Sequence, residues 1–293
     1  MNETDSKDFR TSRCKLPPDA FALGSEIPES PPQDIIEKDI WRSIISLPDD
    51  VSLRTSDNHG TELKHMYNLW ASWIELLGED QDIIWYVMLD AADELQASLF
   101  NALCGYYRVS ATCLRSVLEL TMIGTYYQLR NKKNEFDRWR KGECTIKFGT
   151  TCDGLVNHPQ VKPLEEYLQQ QMHYSIFRQK SYVNPEGGWA RRLFSELSDF
   201  AHSKPTRSTA SLWEGSNGPI YVSSSFRKVY ALYLDTTALG YVLIKLARPT
   251  FDLPRHVIKC IFESPNVKPS KVAVYSYKYL WGGHNIETIN SFA

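Results

Sequence analysis

Three features that define other protein classes are missing from this sequence: paired cysteines, an apolar leader and an uncharged segment of membrane-spanning length. No CxxC pair is present, and the six cysteines are scattered at 14, 104, 113, 144, 152 and 260. Scattered cysteines without a basic and apolar signal segment favour a reducing cytoplasm over a disulfide framework. The closest candidate for a membrane span, residues 230–247, contains Asp235 and Lys245. We therefore expect a buried core helix there, and a cytoplasmic protein that does not contact a membrane.

The sequence also lacks a strong charge of either sign. Its 33 Lys and Arg nearly balance 35 Asp and Glu, which leaves a formal net charge of −2. Such a balance gives no global attraction to nucleic acid or to acidic lipid, so RNA binding would need a local basic patch. The hydrophobic share of 42% over 293 residues is enough for one large core.

Motifs for metal ions or nucleotide cofactors are absent as well. There is no Gly-rich phosphate loop, no nucleophile elbow and no HExxH. Cys144, Cys152 and His158 share one segment, but their spacing matches no common zinc pattern. The sequence thus predicts no cofactor and no metal.

Helical periodicity is what the sequence does contain. Residues 1–32 are polar and interrupted by five prolines, so they are predicted to be a flexible N-terminal arm. Residues 33–293 are predicted to be a helical bundle domain with a C-terminal extension. The fold class is all-α, with minor β content near the C-terminus because residues 271–281 alternate as a strand does.

Apolar residues recur at helical spacing over most of the bundle domain. The predicted helices cover residues 34–46, 61–78, 82–104, 108–129, 164–177, 189–202 and 226–247. Residues 51–60 are expected to be a loop and residues 144–159 to be irregular.

The helix 108–129 carries charges on a mostly apolar surface. Arg108, Arg115 and Glu119 lie along one face, at intervals of seven and four residues. An arginine and a glutamate four apart in such a setting are expected to pair, because unpaired burial of a charge is unfavourable. This pair is either a structural ion pair that fixes helix register or part of a functional cluster.

A second polar constellation ends the helix 189–202. Ser198 and His202 fall on one face of this helix, and Asp199 is also within reach of the histidine. A histidine in the last turn of a helix is favoured in its protonated form by the helix dipole. Lys204 and Arg207 follow and make this end locally basic. The candidate catalytic residues are therefore His202, Arg115 and Glu119, with Arg108, Ser198, Asp199, Lys204 and Arg207 as binding residues. The alternative is a histidine that caps its own helix.

Two stretches carry a resemblance to a known family. An arginine and a glutamate in CLRSVLEL, followed by a helix that ends in LSDFAH, resemble uncharacterised bacterial helical proteins related to the HEPN superfamily. The resemblance covers roughly residues 61–251. It implies a helical bundle, often dimeric, that in many members is a metal-independent ribonuclease of a toxin–antitoxin or phage-defence system.

The ribonuclease motif of that superfamily is an arginine followed, after four to six residues, by a histidine. Nine residues separate Arg192 from His202, which is too many, and only Arg54 and His59 match the spacing. That match falls in the predicted loop 51–60, outside the expected helical core.

Three functions follow as hypotheses. The first is a non-catalytic module of a bacterial HEPN-like protein that associates with itself or with a protein partner, in a defence or toxin system. The second is a HEPN-like ribonuclease that acts on RNA. The third is a bundle that binds a small anion at Arg115, Glu119 and His202.

Removal of residues 1–32 tests the predicted arm. Because this polar, proline-interrupted segment is expected to add little to the core, the truncated chain should melt at nearly the same temperature as the full chain. Circular dichroism melts of both chains measure this, and a drop of many degrees would show that the segment is docked.

Overall fold

The computed structural model describes Ile40 and residues 42–78, 81–181, 187–201 and 219–282. The chain divides into two units, Met1–Ser46 and Leu47–Ala293. Of the first unit the structure describes Ile40 and the π-helical segment Arg42–Ser46. The second unit is built from α-helices, and its described residues contain no strand, so the predicted all-α class is confirmed.

Ten α-helices make up the described part of the second unit. In chain order they are α1 Leu47–Glu75, α2 Ile83–Leu103, α3 Tyr107–Leu129, α4 Lys133–Arg140, α5 Phe148–Val156, α6 Lys162–Met172, α7 Trp189–Ala201, α8 Ser223–Ala247, α9 Arg255–Phe262 and α10 Lys271–Trp281.

Helix α8 lies at the centre of this unit. It packs against α1, α2, α3, α7 and α10. By length and composition alone α8 would pass as a membrane span, but 83% of its apolar window is buried inside the protein, as in the core helix of a bundle. Around it, α2 and α3 form the closest helix pair, and both also contact α8.

Two glycines allow these helices to approach closely. A Cβ on Gly124 of α3 would lie 2.4 Å from Val87 Cγ2 of α2. A Cβ on Gly240 of α8 would lie 2.8 Å from Cη2 of Trp73. The Trp73 ring is fully buried, and its Nε1 donates to the Met88 carbonyl at 2.9 Å, so the ring is held in place.

The predicted loop 51–60 was wrong, because these residues belong to α1. Leu47-Pro48 begins a helix here, since proline is tolerated in the first turn, where its missing N–H leaves no hydrogen bond unmade. Val51, Thr55 and His59 recur every four residues on the buried face. The helix continues with a kink at His59, where φ is −136° and ψ is 26°.

Two further predictions were wrong because tertiary packing overrides the local propensity of these residues. Residues 148–156, expected to be irregular, form α5, whose Phe148 ring stacks on Phe194 with centroids 3.9 Å apart. Residues 271–281, expected to be a strand, form α10. The Ser270 side chain caps α10 by accepting from Ala273 N at 3.3 Å.

A matched pair of substitutions tests the close packing of α8. Gly240→Ala adds a methyl group against an immobile ring, and the overpacking outweighs the helix propensity gained, for a net loss of roughly 1–2 kcal/mol. Gly60→Ala in α1 adds a methyl group where nothing of the same chain lies within 4 Å, so it should stabilise the folded monomer by about 0.5–1 kcal/mol. Urea unfolding of both variants measures the two free energies, and a Gly240→Ala chain as stable as the parent would contradict the packing.

Candidate functional site

Arg115 and Glu119 pair with each other on α3, as the sequence predicts. Arg115 Nη2 donates to Glu119 Oε1 at 3.1 Å, and the guanidinium lies 5.1 Å from the centroid of the Phe194 ring. The two side chains are 23% and 35% exposed, so the pair lies at a solvated flank and not in the interior as expected. A pair of this exposure contributes about 0–1 kcal/mol, far less than a buried one.

Helix α7 runs antiparallel to α3. Phe194, early in α7, contacts Arg115, whereas the Phe200 carbonyl, at its end, accepts from Arg108 Nη2 at 3.3 Å. The described end of α7 therefore meets Arg108, about 10 Å along α3 from Arg115. His202, Lys204 and Arg207 lie outside the described residues.

Two more of the predicted site residues, Ser198 and Asp199, lie on the described part of α7. Ser198 Oγ donates to the carbonyl of Phe194 in its own helix at 2.6 Å, so its hydroxyl proton is used locally. Asp199 is half-buried one residue further on. Among the described residues the structure thus joins Arg115 to Glu119 and Arg108 to the end of α7, but it assembles no single cluster.

Arg54 and His59, which match the ribonuclease spacing, face in different directions. Arg54 is 63% exposed and pairs with Asp50 in the same helix. His59 is 2% exposed, and its ring stacks on Phe226 with centroids 4.5 Å apart. His59 Nε2 lies 3.0 Å from Ser223 Oγ, so the imidazole joins the kink of α1 to the start of α8.

A cavity of about 210 Å³ lies between α7, α8, α9 and the turn that precedes α10. One wall of this cavity carries the carboxylate of Asp235, which the sequence did not predict as a site residue. Asp235 Oδ2 accepts from Trp189 Nε1 at 2.9 Å, and Oδ1 accepts from Ser270 Oγ at 3.5 Å. Nearby, Lys228 of α8 pairs with Glu196 of α7. The only signal in the sequence was one acidic residue in an apolar run.

Burial controls the ionisation of Asp235. Loss of hydration raises the pKa of this carboxyl to about 6, and the neighbouring carboxylate of Glu196 acts in the same direction. Hydrogen bonds from Trp189 and Ser270 and the charge of Arg192 oppose the rise without cancelling it. Asp235 therefore exchanges a proton near neutral pH, as groups at functional sites often do.

The carboxylate of Glu165 in α6 is fully buried, and its surroundings give it a structural role. It accepts from the backbone amides of Ile176 and Phe177 at 2.9 Å each, and from Ser175 Oγ at 2.5 Å. Burial raises its pKa, and these hydrogen bonds lower it. Glu165 thus holds the loop that leads into α7.

The described residues contain no group of three or more His, Cys, Asp or Glu side chains placed to hold a metal ion. Cys144, Cys152 and His158, which share one segment of the sequence, have separate surroundings. Cys152 is buried, which raises its pKa to about 12. His158 Nε2 lies 3.1 Å from the Leu129 carbonyl, and Cys144 Sγ donates to the Glu135 carbonyl at 3.9 Å.

No family model, no curated protein and no solved structure matches the chain. The likeness to HEPN proteins therefore remains a prediction.

The pH dependence of stability tests the surroundings of Asp235. Because the folded-state pKa of about 6 lies above the usual 3.8, the contribution of Asp235 to stability is fully present below pH 3.8 and is lost as the pH rises through 6. The loss is about 3 kcal/mol. Asp235→Asn keeps an acceptor for Trp189 and cannot ionise, so the stability of wild type relative to this variant should fall by that amount between pH 4 and 7.5. Urea unfolding across this range measures it, and a difference that does not change with pH would refute the assignment.

Proposed function

We propose that this chain is a non-catalytic helical module that associates with a second copy of itself through the outward face of α1. The observation that carries the proposal is the distribution of exposed large apolar side chains. Helix α1 carries Leu47, Leu53, Tyr67 and Ile74, and no other helix described in Leu47–Ala293 carries more than one. Exposed apolar residues concentrated on one element mark an interaction surface.

The two faces of α1 differ sharply after its kink. Met66, Leu69 and Trp73 are fully buried, whereas Tyr67 is 52% exposed and Ile74 is 38% exposed. Gly60, Tyr67 and Ile74 follow one another at seven-residue spacing, which keeps them close to one face of a helix. This spacing is typical of a helix that packs against a second helix.

The shape of this face suits a second copy in antiparallel orientation. Nothing lies within 4 Å of a Cβ added to Gly60, so the surface there has room for a large side chain. An antiparallel pair of the helical segments that follow the kink, centred between residues 63 and 64, sets each Tyr67 over Gly60 of the other copy. A two-fold axis repeats this contact, as in most homodimers.

Charge supports the same arrangement. Arg54 and Glu75 lie near opposite ends of α1 and both are exposed, and Arg54 also pairs with Asp50 of its own helix. Antiparallel pairing brings each Arg54 near Glu75 of the other copy, while parallel pairing would align like charges. Complementary rim charges of this kind favour orientation more than affinity.

The alternatives remain predictions that rest on the resemblance. A ribonuclease of the HEPN type would need an arginine and a histidine that both contact RNA. Arg54 and His59 face in different directions, with Arg54 exposed and His59 buried. The resemblance also implies a role in a defence or toxin system, with RNA as the alternative partner. This role stays a prediction.

A charge placed on this face tests the proposal. Tyr67→Glu should convert a dimer of twice 33.7 kDa into a monomer, because a carboxylate would be buried in the apolar contact. The matched control is Tyr279→Glu in α10, a tyrosine of similar exposure outside the face, which should remain dimeric. Sedimentation equilibrium over a concentration series measures the mass. A wild type that is monomeric throughout, or a Tyr67→Glu chain that stays dimeric, would disprove the proposed contact.

A further inference from the structure

The cavity beside Asp235 has the dimensions of a small-molecule site. Its volume of about 210 Å³ lies below the roughly 300–1,000 Å³ of sites for drug-sized ligands, so it suits a compact molecule. Most of the wall is apolar and comes from Ala231, Leu232, Leu234, Ala238, Ile261, Val267, Pro269 and Ala273. Such a wall favours a ligand with a hydrocarbon body.

The charges around the cavity are unevenly matched. Glu196 is paired with Lys228, whereas no described Lys, Arg or His forms an ion pair with Asp235. Arg192 contributes at longer range, and Lys268 lines the cavity with an exposed side chain. Asp235 accepts two hydrogen bonds, from Trp189 and Ser270, while an ionised carboxylate has sites for about four.

We propose that this cavity binds a small organic ammonium ion, whose N–H groups donate to Asp235 and whose hydrocarbon body contacts Leu232, Ala238 and Ile261. The ammonium supplies the positive charge and the donors that Asp235 lacks, and the apolar wall removes the hydrocarbon from water. A small anion would have Lys228 and Lys268 as its charged partners in this cavity, and Lys228 is already paired with Glu196.

Three compounds that share a cyclohexane ring and carry a positive charge, no charge or a negative charge test this assignment: cyclohexylammonium, cyclohexanol and cyclohexanecarboxylate. The indole N–H of Trp189 bonds to Asp235, so its NMR cross peak reports directly on the site, and Trp189→Phe assigns that peak. At pH 7.5 cyclohexylammonium should shift the peak saturably, with a Kd on the order of 1 mM for so small a ligand. Cyclohexanol should bind at least tenfold more weakly, and cyclohexanecarboxylate should leave the peak unmoved.

Two variants separate the effect of the Asp235 charge on ligand binding from the effect of the cavity volume. Asp235→Asn should weaken cyclohexylammonium binding at least tenfold while Trp189 keeps an acceptor. Ala231→Met, at a partly exposed position of the wall, should fill the cavity and weaken all binding. Thermal melts establish that each variant is folded before titration. Absence of a shift with cyclohexylammonium, equal binding of cyclohexanecarboxylate, or unchanged binding by folded Asp235→Asn would each overturn the proposal. None of these outcomes depends on whether α1 forms a dimer.

Discussion

The burial of α8 is the constraint on which the rest of this structure depends. An unmatched polar group buried inside a bundle costs about 1–3 kcal/mol, so hydrogen bonds to neighbouring helices stabilise a helix in such a position. Three polar side chains of α8 have partners far away in the sequence: Ser223 lies beside His59, Tyr230 lies beside His65 at 2.8 Å, and Asp235 accepts from Trp189. The hydroxyls of Tyr233, Thr236 and Tyr241 are buried without a hydrogen-bond partner among the described residues. These matches tie α1 and α7 to α8 in a defined register and explain why α1 carries two histidines on its inner side.

The same constraint connects the fold to the two proposals. One side of α1 packs against α8. Its other side carries large apolar residues that are exposed in the bundle. Asp235 is the one carboxyl on α8, and its hydrogen bonds from Trp189 and Ser270 do not neutralise its charge. Burial therefore raises the pKa of this carboxyl, and a cation bound in the adjacent cavity would supply the positive charge and the hydrogen-bond donors that the ionised carboxylate lacks. The two proposals thus concern different surfaces of one helical framework.

Some of this architecture could be read from local sequence and some could not. The helices 108–129 and 226–247 were predicted within a few residues, because long apolar periodicity is a strong signal. The start of α1 was missed, since Thr55 and His59 look like loop residues until Phe226, far along the chain, covers the histidine. The pairing of Arg115 with Glu119 is local and was predicted, but its exposure depends on where α7 packs. The site at Asp235 needed Trp189 and Ser270, which lie 46 and 35 residues away and carry no local pattern that links them.

Native-state hydrogen exchange, read segment by segment by mass spectrometry, tests the central position of α8 most directly. Amides buried in the core exchange only through global unfolding, whereas those of peripheral helices open locally. The account predicts that peptides from Ser223–Ala247 exchange slowest, together with Tyr107–Leu129, and much more slowly than Lys133–Arg140, in which Phe136 is the buried residue. Exchange in Ser223–Ala247 as fast as in Lys133–Arg140 would contradict it.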